Sequence, residues 1–232
     1  MRAALILLAW LLASPAAALD LSPTTLQLPA EGGRTELWLY NPGPGHWQGQ
    51  VRVMAWEQQI DAERLRPTEQ ILASPIQLDL APGVRQRVWL LPGRPEAASG
   101  ERAYRIVLEP GQAGLPRYSL PLFRGQAAPQ VQPRVQARLE ADASQPYLRL
   151  SNAGPLHARL HDLVFVADDG QRTLLLPGLA GYLLAGHERR WALPARLNGY
   201  HGGRFHAHLQ DGRQIDLTAT DPAIAASAPS GL

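Results

Sequence analysis

Hydrophobic and polar residues alternate along most of the chain, in short segments separated by proline and glycine. Successive side chains of a β-strand point to opposite faces, so an alternation with a period of two predicts strands with one buried face. The alternating segments are TELWLYN, QVRVMAW, PIQLDL, RQRVWLL, AYRIVLE and RYSLPLF, and after Pro133 RVQARLEA, YLRLSN, ARLHDLVFVA, RTLLL, RRWALP, RFHAHL and QIDLTA. We therefore predict an all-β protein of two β-sandwiches, each with about seven short strands.

A linker between the two predicted sandwiches lies at residues 124–133, RGQAAPQVQP. It is small, polar and proline-bearing, as linkers between domains often are. We assign residues 19–125 to the first domain and residues 126–220 to the second. The tail at residues 221–232 has no strand pattern and is expected to be disordered.

The N-terminus carries the features of a secretory signal peptide. Arg2 supplies a positive charge, and the apolar run AALILLAWLLA that follows is too short to span a membrane. Ala16 and Ala18 have the A-x-A spacing of a cleavage site. We predict that residues 1–18 are removed and that the mature chain leaves the cytoplasm. No later segment reaches spanning length, so no membrane insertion is expected.

Composition excludes several classes of protein. There is no cysteine, so no disulfide framework supports the fold. The 22 basic residues are all arginine and face 20 acidic residues, for a formal net charge of +2. The arginines are scattered singly, mostly at every second position, which is typical of a solvated sheet face. Since no block of like charge is present, we expect no binding to nucleic acid.

Candidate catalytic or metal-binding residues are few. On a strand, His206 and His208 would point to the same face, as two metal ligands can. No cysteine, aspartate or glutamate at a recognised ligand spacing completes a site. Ser119 and Ser151 lack the G-x-S-x-G context of a nucleophile, although a Ser/His/Asp triad is assembled in space and not in sequence. The sequence therefore predicts no enzyme, no metal and no cofactor.

The segment RYSLPLFRG, residues 117–125, combines a hydrophobic strand with an internal proline. Pro121 has no N–H to donate, and proline is confined to edge strands, strand starts and bulges. Proteins normally avoid a hydrophobic edge strand because it pairs with other chains. We therefore predict a strand that awaits a partner, and such an edge also allows self-association.

Several long motifs resemble the periplasmic chaperones of chaperone–usher pili, most closely the archaic or alternative branch. They are LSPTTLQLPAEGGRTELWLYNPG, LRPTEQILASPIQLDLAPGVRQRVWLL, ERAYRIVLE, RYSLPLF, LSNAGPLHARLHDLVF and LAGYLLAGHERRWALP. The stretch from Ser74 to Val88 is the most specific, and the resemblance covers nearly the whole mature chain. It implies two immunoglobulin-like β-sandwiches in a boomerang arrangement, a periplasmic location and no catalysis. The implied partners are pilin or fimbrial subunits and an outer-membrane usher.

The resemblance also implies how such a chaperone binds its client. The client is a sandwich that lacks its last strand, and the chaperone lends it the last strand of its own first domain. The period of two divides that strand into two rows, and Tyr118, Leu120 and Leu122 form the unbroken apolar one. We expect this row to face the client. The alternative is that the row fills the core of the chaperone's own first sandwich.

Family members hold the client's terminal carboxylate with basic residues, and here the match is imperfect. The position that is often arginine on the first strand is Thr25, and the position that is lysine in the best-known branch falls near Ser119. Arg105 and Arg117 remain, on segments that should be neighbouring strands. An arginine fork suits a carboxylate, so we predict that these two anchor the client. The alternative is that both are solvated charges on a sheet face.

A second functional class stays open, a secreted two-sandwich module for adhesion or carbohydrate binding. Exposed aromatic rows bind carbohydrate, and Trp38, Trp56, Trp89 and Trp191 all lie in strand-like segments. These four share no spacing and lie on different strands. Core or sheet-face packing is therefore their simplest interpretation.

Overall fold

A computed structural model describes residues 18–30, 32–94, 100–125, 131–142, 145–197 and 199–220. All of the predicted signal peptide except Ala18 lies outside the described residues, and so does the predicted tail. The middle of the predicted linker, residues 126–130, is also outside them. No helix in the described part of the chain is long and apolar enough to cross a membrane.

The first ten strands form a sandwich of two sheets. One sheet has the order β1-β3-β8-β6, and the other has the order β2-β10-β9-β4-β5, with β7 paired to the start of β4. The strands are β1 (Asp20–Ser22), β2 (Leu26–Leu28), β3 (Thr35–Tyr40), β4 (Trp47–Gln58), β5 (Glu63–Pro67), β6 (Ile71–Ser74), β7 (Gln77–Leu80), β8 (Arg85–Pro92), β9 (Arg102–Pro110) and β10 (Tyr118–Arg124).

The second sandwich also consists of two sheets, with the orders β15-β12-β11-β18 and β14-β13-β16-β17. Its strands are β11 (Val135–Asp142), β12 (Gln145–Asn152), β13 (Ala158–Val166), β14 (Arg172–Leu183), β15 (Glu188–Ala192), β16 (Arg204–His208), β17 (Gln214–Leu217) and β18 (Ala219–Thr220). Every segment that the alternation predicted as a strand overlaps a strand of the structure. The short strands β1, β2, β5 and β6 were not predicted.

Each sandwich encloses its own apolar core. The first is built mainly from leucine, with Trp47 fully buried at its centre. The second is centred on three rings, those of Phe165, Tyr200 and Phe205, whose centroids lie 4.9–5.7 Å apart. Such aromatic contacts add to the stabilisation from burial alone. Two separate cores explain why the period-two pattern starts afresh after the linker.

A buried asparagine organises a similar turn in each sandwich. Asn41 donates from Nδ2 to the carbonyl of Leu80 and accepts a bond at Oδ1 from the N–H of Gly43. Asn152 donates from Nδ2 to the carbonyl of Leu183 and accepts at Oδ1 from the N–H of Gly154. Both side chains are almost inaccessible, so these bonds are what makes their burial tolerable. The related stretches NPGPG and NAGPL are the sequence trace of this repeated turn.

Candidate functional site: the open half of β10 and the cleft between the sandwiches

β10 lies inside its sheet for part of its length and at an edge for the rest. It pairs antiparallel with β9 from Tyr118 to Arg124, but parallel with β2 only from Leu122 to Arg124. On the side away from β9, no strand in the described part of the chain pairs with Tyr118–Pro121. Pro121 lies in this open half, directly before the pairing with β2 begins. The open half leaves backbone N–H and C=O groups available to another chain.

The row formed by Tyr118, Leu120 and Leu122 packs into the core of the first sandwich. Leu122 is fully buried, Leu120 is 9% exposed, and Tyr118 packs against the same core. The structure therefore selects the alternative interpretation of this row, because side chains that fill the home core do not project toward a client. Ser119, on the other row, is exposed. What the open half offers to another chain is its unpaired backbone, together with the exposed side chain of Ser119.

The other row of β10, which includes Ser119 and Phe123, reaches the cleft between the two sandwiches at Phe123. Phe123 is fully buried in a small apolar cluster with Trp56 of β4 and with Tyr182 and Leu184 of the second sandwich. The ring centroids of Trp56 and Tyr182 lie 5.6 Å apart in an edge-on arrangement. The ring of His157 stacks on Phe123 with a centroid distance of 3.5 Å. β10 therefore connects the open edge to the contact between the sandwiches.

Buried polar groups complete the contact between the sandwiches. The side chain of Gln58 donates to the carbonyl of Tyr182 and accepts from the N–H of Leu184, both over 2.8 Å. Glu101 accepts from the backbone N–H of His157 over 2.7 Å, and the Nδ1 atom of that ring lies 2.8 Å from the same oxygen. Because these groups have lost their water, their mutual bonds fix how the sandwiches meet.

Arg105 lies in this cleft, with only 15% of its side chain exposed. Its guanidinium carbon is 3.6 Å from the centroid of the Trp56 ring, in cation–π geometry. Its Nη2 atom is 3.4 Å from Oε2 of Glu63. Burial lowers the pKa of Arg105, and the nearby Glu63 carboxylate opposes that shift. Arg105 is therefore a covered cation with a carboxylate beside it.

Arg117 is in a different environment, although it lies on the same face of the sheet. Its side chain is 60% exposed, and its Nη2 atom is 3.3 Å from Oε1 of Glu109. The register places Arg105 opposite Pro121, four residues from Arg117. At about 3.3 Å per residue, the two backbones are about 13 Å apart along the strand. The structure thus places both predicted anchors beside β10, but each guanidinium faces its own carboxylate.

Several groups of the cleft were not predicted as site residues. Arg189, from β15 of the second sandwich, places its Nη1 atom 2.8 Å from the Oε1 atom of Glu63. The hydroxyl of Thr25 lies 3.4 Å from the hydroxyl of Tyr182. Thr25, which stands at the position that is often arginine in the family that the chain resembles, therefore borders the cleft. Sequence alone offers no signal for Arg189, because the second sandwich brings it to the first only in the folded chain.

The aromatic residues on the outer face of the β1-β3-β8-β6 sheet are stacked with arginines. Arg34 and Arg87 lie 3.9 and 4.0 Å from the centroid of the Trp89 ring, and Arg85 lies 4.5 Å from that of Trp38. The guanidinium groups cover faces of the two indoles that a sugar ring would need. Trp56 is buried in the cleft. The arrangement therefore does not favour a carbohydrate site.

Of the two histidines considered as metal ligands, His206 contacts an aspartate and a glutamine of the neighbouring strand. The Nδ1 atom of His206 lies 2.6 Å from the carboxylate of Asp216, and Gln214 contacts both. Among the described residues, no group of three or more histidine, cysteine, aspartate or glutamate side chains is placed to hold a metal ion.

Comparison with solved structures places this fold among the pilus chaperones. Over 88% of its length the chain is similar to the whole of one chain of the complex of CsuC with the tip adhesion subunit CsuE, from the archaic chaperone–usher Csu pili of Acinetobacter baumannii, with 21% identity and a TM-score of 0.72. The CupB2 chaperone of Pseudomonas aeruginosa is 11% identical with a TM-score of 0.57, over 85% of this chain and 97% of that one.

The complex of the Salmonella enterica SafA pilin with the SafB chaperone gives 14% identity and a TM-score of 0.55, over 88% of this chain and 97% of that one. No family model matches the sequence, and no curated protein matches it significantly. The structural likenesses confirm the predicted fold class, two immunoglobulin-like β-sandwiches with the fold of periplasmic pilus chaperones.

Proposed function

We propose that the protein is a periplasmic chaperone, not an enzyme, that binds pilin or fimbrial subunits and delivers them to an outer-membrane usher. The open half of β10 carries this proposal, because no strand in the described part of the chain pairs with Tyr118–Pro121 on the side away from β9. An incomplete sandwich lacking one strand would pair with that edge by β-augmentation. The names of similar structures support the proposal, since they include chaperones in complex with a tip adhesion subunit and with a pilin.

The lending strand is β10, with Tyr118, Leu120 and Leu122 as the row that holds it in place. Because this row is anchored in the first core, the strand stays extended at Tyr118–Pro121 without a client. Main-chain hydrogen bonds from a preformed strand provide affinity that tolerates different client sequences. The same open edge allows two free chaperones to pair with each other, which a client would then prevent.

Arg105 and Arg117 are the proposed anchors for a carboxylate of the client. Both lie on the outer face beside β10, where a client strand paired with the open half would reach. We assign the stronger contact to Arg105, since a covered guanidinium gains more from a carboxylate than an exposed one. Arg117 lies just before the open half and would contact the client more weakly.

The experiment is co-expression with the small secreted subunits that are encoded beside an usher gene. A 1:1 complex that survives purification from the periplasmic fraction is the expected result. The same fraction tests the location, and N-terminal sequencing of the purified protein should begin at Leu19. If no secreted subunit is captured while the chaperone itself is abundant and folded, the proposed function is wrong. Size-exclusion chromatography of the free protein at increasing concentration tests the self-association.

A further inference from the structure

The outer face of the β1-β3-β8-β6 sheet carries aromatic rings and arginines in neighbouring positions. Alternate residues of β3 and β8 fill the first core, so the residues between them point outward. We define the tryptophan–arginine face as Arg34, Glu36, Trp38, Arg85, Arg87 and Trp89. The register places Trp38 directly opposite Arg87. All six residues lie outside β10 and outside its sheet.

The three arginines of this face are held in place by the two indole rings. The guanidinium carbons of Arg34 and Arg87 lie 3.9 and 4.0 Å from the centroid of the Trp89 ring. That of Arg85 lies 4.5 Å from the centroid of the Trp38 ring. A guanidinium that rests on a ring keeps its N–H donors for other partners and loses less rotamer entropy when it binds. The face is therefore pre-organised for binding.

Positive charge is in excess on the tryptophan–arginine face. The Oε2 atom of Glu36 lies 3.4 Å from Nη1 of Arg87, and its Oε1 atom accepts from Nε1 of Trp38 over 2.9 Å. Within the described part of the chain, the exposed Arg34 and Arg85 form no ion pair. Since two guanidinium groups are without a carboxylate, charge complementarity favours an acidic partner.

A groove beside Trp38 adds an apolar contact to this charge. Its volume is about 390 Å³, and its walls include Leu21, Trp38, Leu39 and Tyr40, together with Asp20 and Arg85. Ligand pockets range from about 300 to 1,000 Å³, so a groove at the small end accommodates one or two side chains and not a folded element. Arg85 therefore places a guanidinium directly beside an apolar side chain that enters the groove.

The chemistry of the face favours a protein over a lipid surface. Tryptophan, tyrosine and arginine are the residue types that most often dominate the energy of protein–protein binding. A membrane surface presents many phosphates in one plane, and these would meet the carboxylates of Glu36 and of the exposed Asp20. A protein segment, in contrast, presents one carboxylate next to one apolar side chain, which matches Arg85 and the groove.

We propose that the tryptophan–arginine face docks a protein partner other than the client, through an exposed segment in which an apolar side chain adjoins an aspartate or glutamate. The apolar side chain fills the groove beside Trp38, and the carboxylate pairs with Arg85. Because β10 lies in the other sheet of the sandwich, a chaperone that holds a subunit at β10 keeps this face for the second partner.

Short peptides test the two parts of the docking chemistry. Indole Nε1–H signals of the purified protein are followed by NMR during titration with acetyl-Leu-Asp-amide, acetyl-Leu-Asn-amide and acetyl-Gly-Asp-amide. The Trp38 signal should shift at the lowest concentration with acetyl-Leu-Asp-amide, and the signal of Trp47, which is buried in the first core, should not move. Removal of the carboxylate or of the leucine side chain should each weaken binding about fivefold, which corresponds to about 1 kcal/mol.

Two variants assign the peptide preferences to the face. Arg85→Gln should remove the preference for aspartate over asparagine, and Tyr40→Ala should reduce the preference for leucine over glycine. Arg64→Gln is the matched control, because Arg64 is an exposed arginine of β5 in the other sheet. If Arg85→Gln keeps the aspartate preference of wild type, or if the three peptides shift the Trp38 signal equally or not at all, the proposal is wrong.

Two further measurements separate this face from the alternatives. Sedimentation with phosphatidylglycerol vesicles should show no binding, and vesicle binding that Arg85→Gln removes would identify a lipid surface and overturn the proposal. Arg85→Gln and Tyr40→Ala should capture a co-expressed subunit as well as wild type does, whereas loss of capture would assign the face to the client. If the peptides bind as expected but wild type captures no subunit, the proposed function fails and the docking face stands.

Discussion

Arg105 and Arg117 lie on the same face of the same sheet, yet they belong to different chemical environments. The second sandwich covers Arg105 and places Tyr182 and Arg189 around it, whereas Arg117 is 60% exposed and pairs with Glu109 of its own sandwich. An unpaired charge in the cleft therefore costs considerable free energy, whereas charges beside the open half of β10 are solvated. We expect covering by the other domain, and not residue type, to decide which arginine can anchor a client strongly.

The largest expected effect tests which of the two rows of β10 fills the first core. Leu120→Asp places a carboxylate in the first core, and an unpaired buried charge is costly. We expect a loss of more than about 4 kcal/mol in the free energy of unfolding, so that little folded protein is recovered. Ser119→Asp, on the exposed neighbour, should stay within about 0.5 kcal/mol of wild type by urea unfolding. A soluble, stable Leu120→Asp protein would show that this row faces the client and does not fill the first core.

The next effect tests whether the cleft is a fixed contact. Gln58→Leu leaves the carbonyl of Tyr182 and the N–H of Leu184 without their buried partner. We expect a cost of about 1–3 kcal/mol in the free energy of unfolding, measured with urea. Gln48→Leu is the matched control, because the side chain of Gln48 is exposed and bonds to the exposed Asp79. Equal stability of both variants would show that the sandwiches do not depend on this amide.

A smaller effect separates the two arginines directly. Arg105→Ala should weaken subunit capture at least about tenfold, or about 1.4 kcal/mol. Arg117→Ala should weaken it less, since an exposed pair contributes less than about 1 kcal/mol. Arg34→Ala, on the outer face of the other sheet, is the control. If calorimetry gives equal binding for Arg105→Ala and wild type, the anchor is refuted. Arg85 or Arg87 would then be tested.

The smallest effect extends the comparison to His161 of the second sandwich. Burial, and next the positive charge of Arg159, lower its pKa below 6.5. The folded state therefore disfavours protonation, so this contribution to stability is present above the ordinary pKa and is lost as pH falls through the lowered one. Comparing urea unfolding at pH 7.5 and 5, His161→Gln should lose less stability on acidification than wild type, by less than about 1 kcal/mol. An identical pH dependence would show that His161 is not responsible, and His201→Gln, in an exposed loop, is the control.

The open half of β10 was predictable because proline restricts where a strand can lie. Pro121 inside an apolar segment indicated an edge, and the edge exists at Tyr118–Pro121. The three-residue strand β2, which covers the remainder of β10, could not be predicted from its length. The choice between the two rows of β10 was also not determined by the sequence, because an apolar row suits a home core and a client equally well.

The local pattern of side chains by itself determined the all-β class, the two sandwiches and the segments that form their strands. Period-two alternation reports directly on which backbone conformation buries a face, and that needs no knowledge of distant residues. Only the tertiary structure decided the site: Arg189 and Tyr182 are remote in sequence from Arg105, and they meet it because the second sandwich packs against the first. Burial and charge pairing depend on neighbours in space. The packing of the two domains alone therefore determines which arginine is covered and which residues cover it.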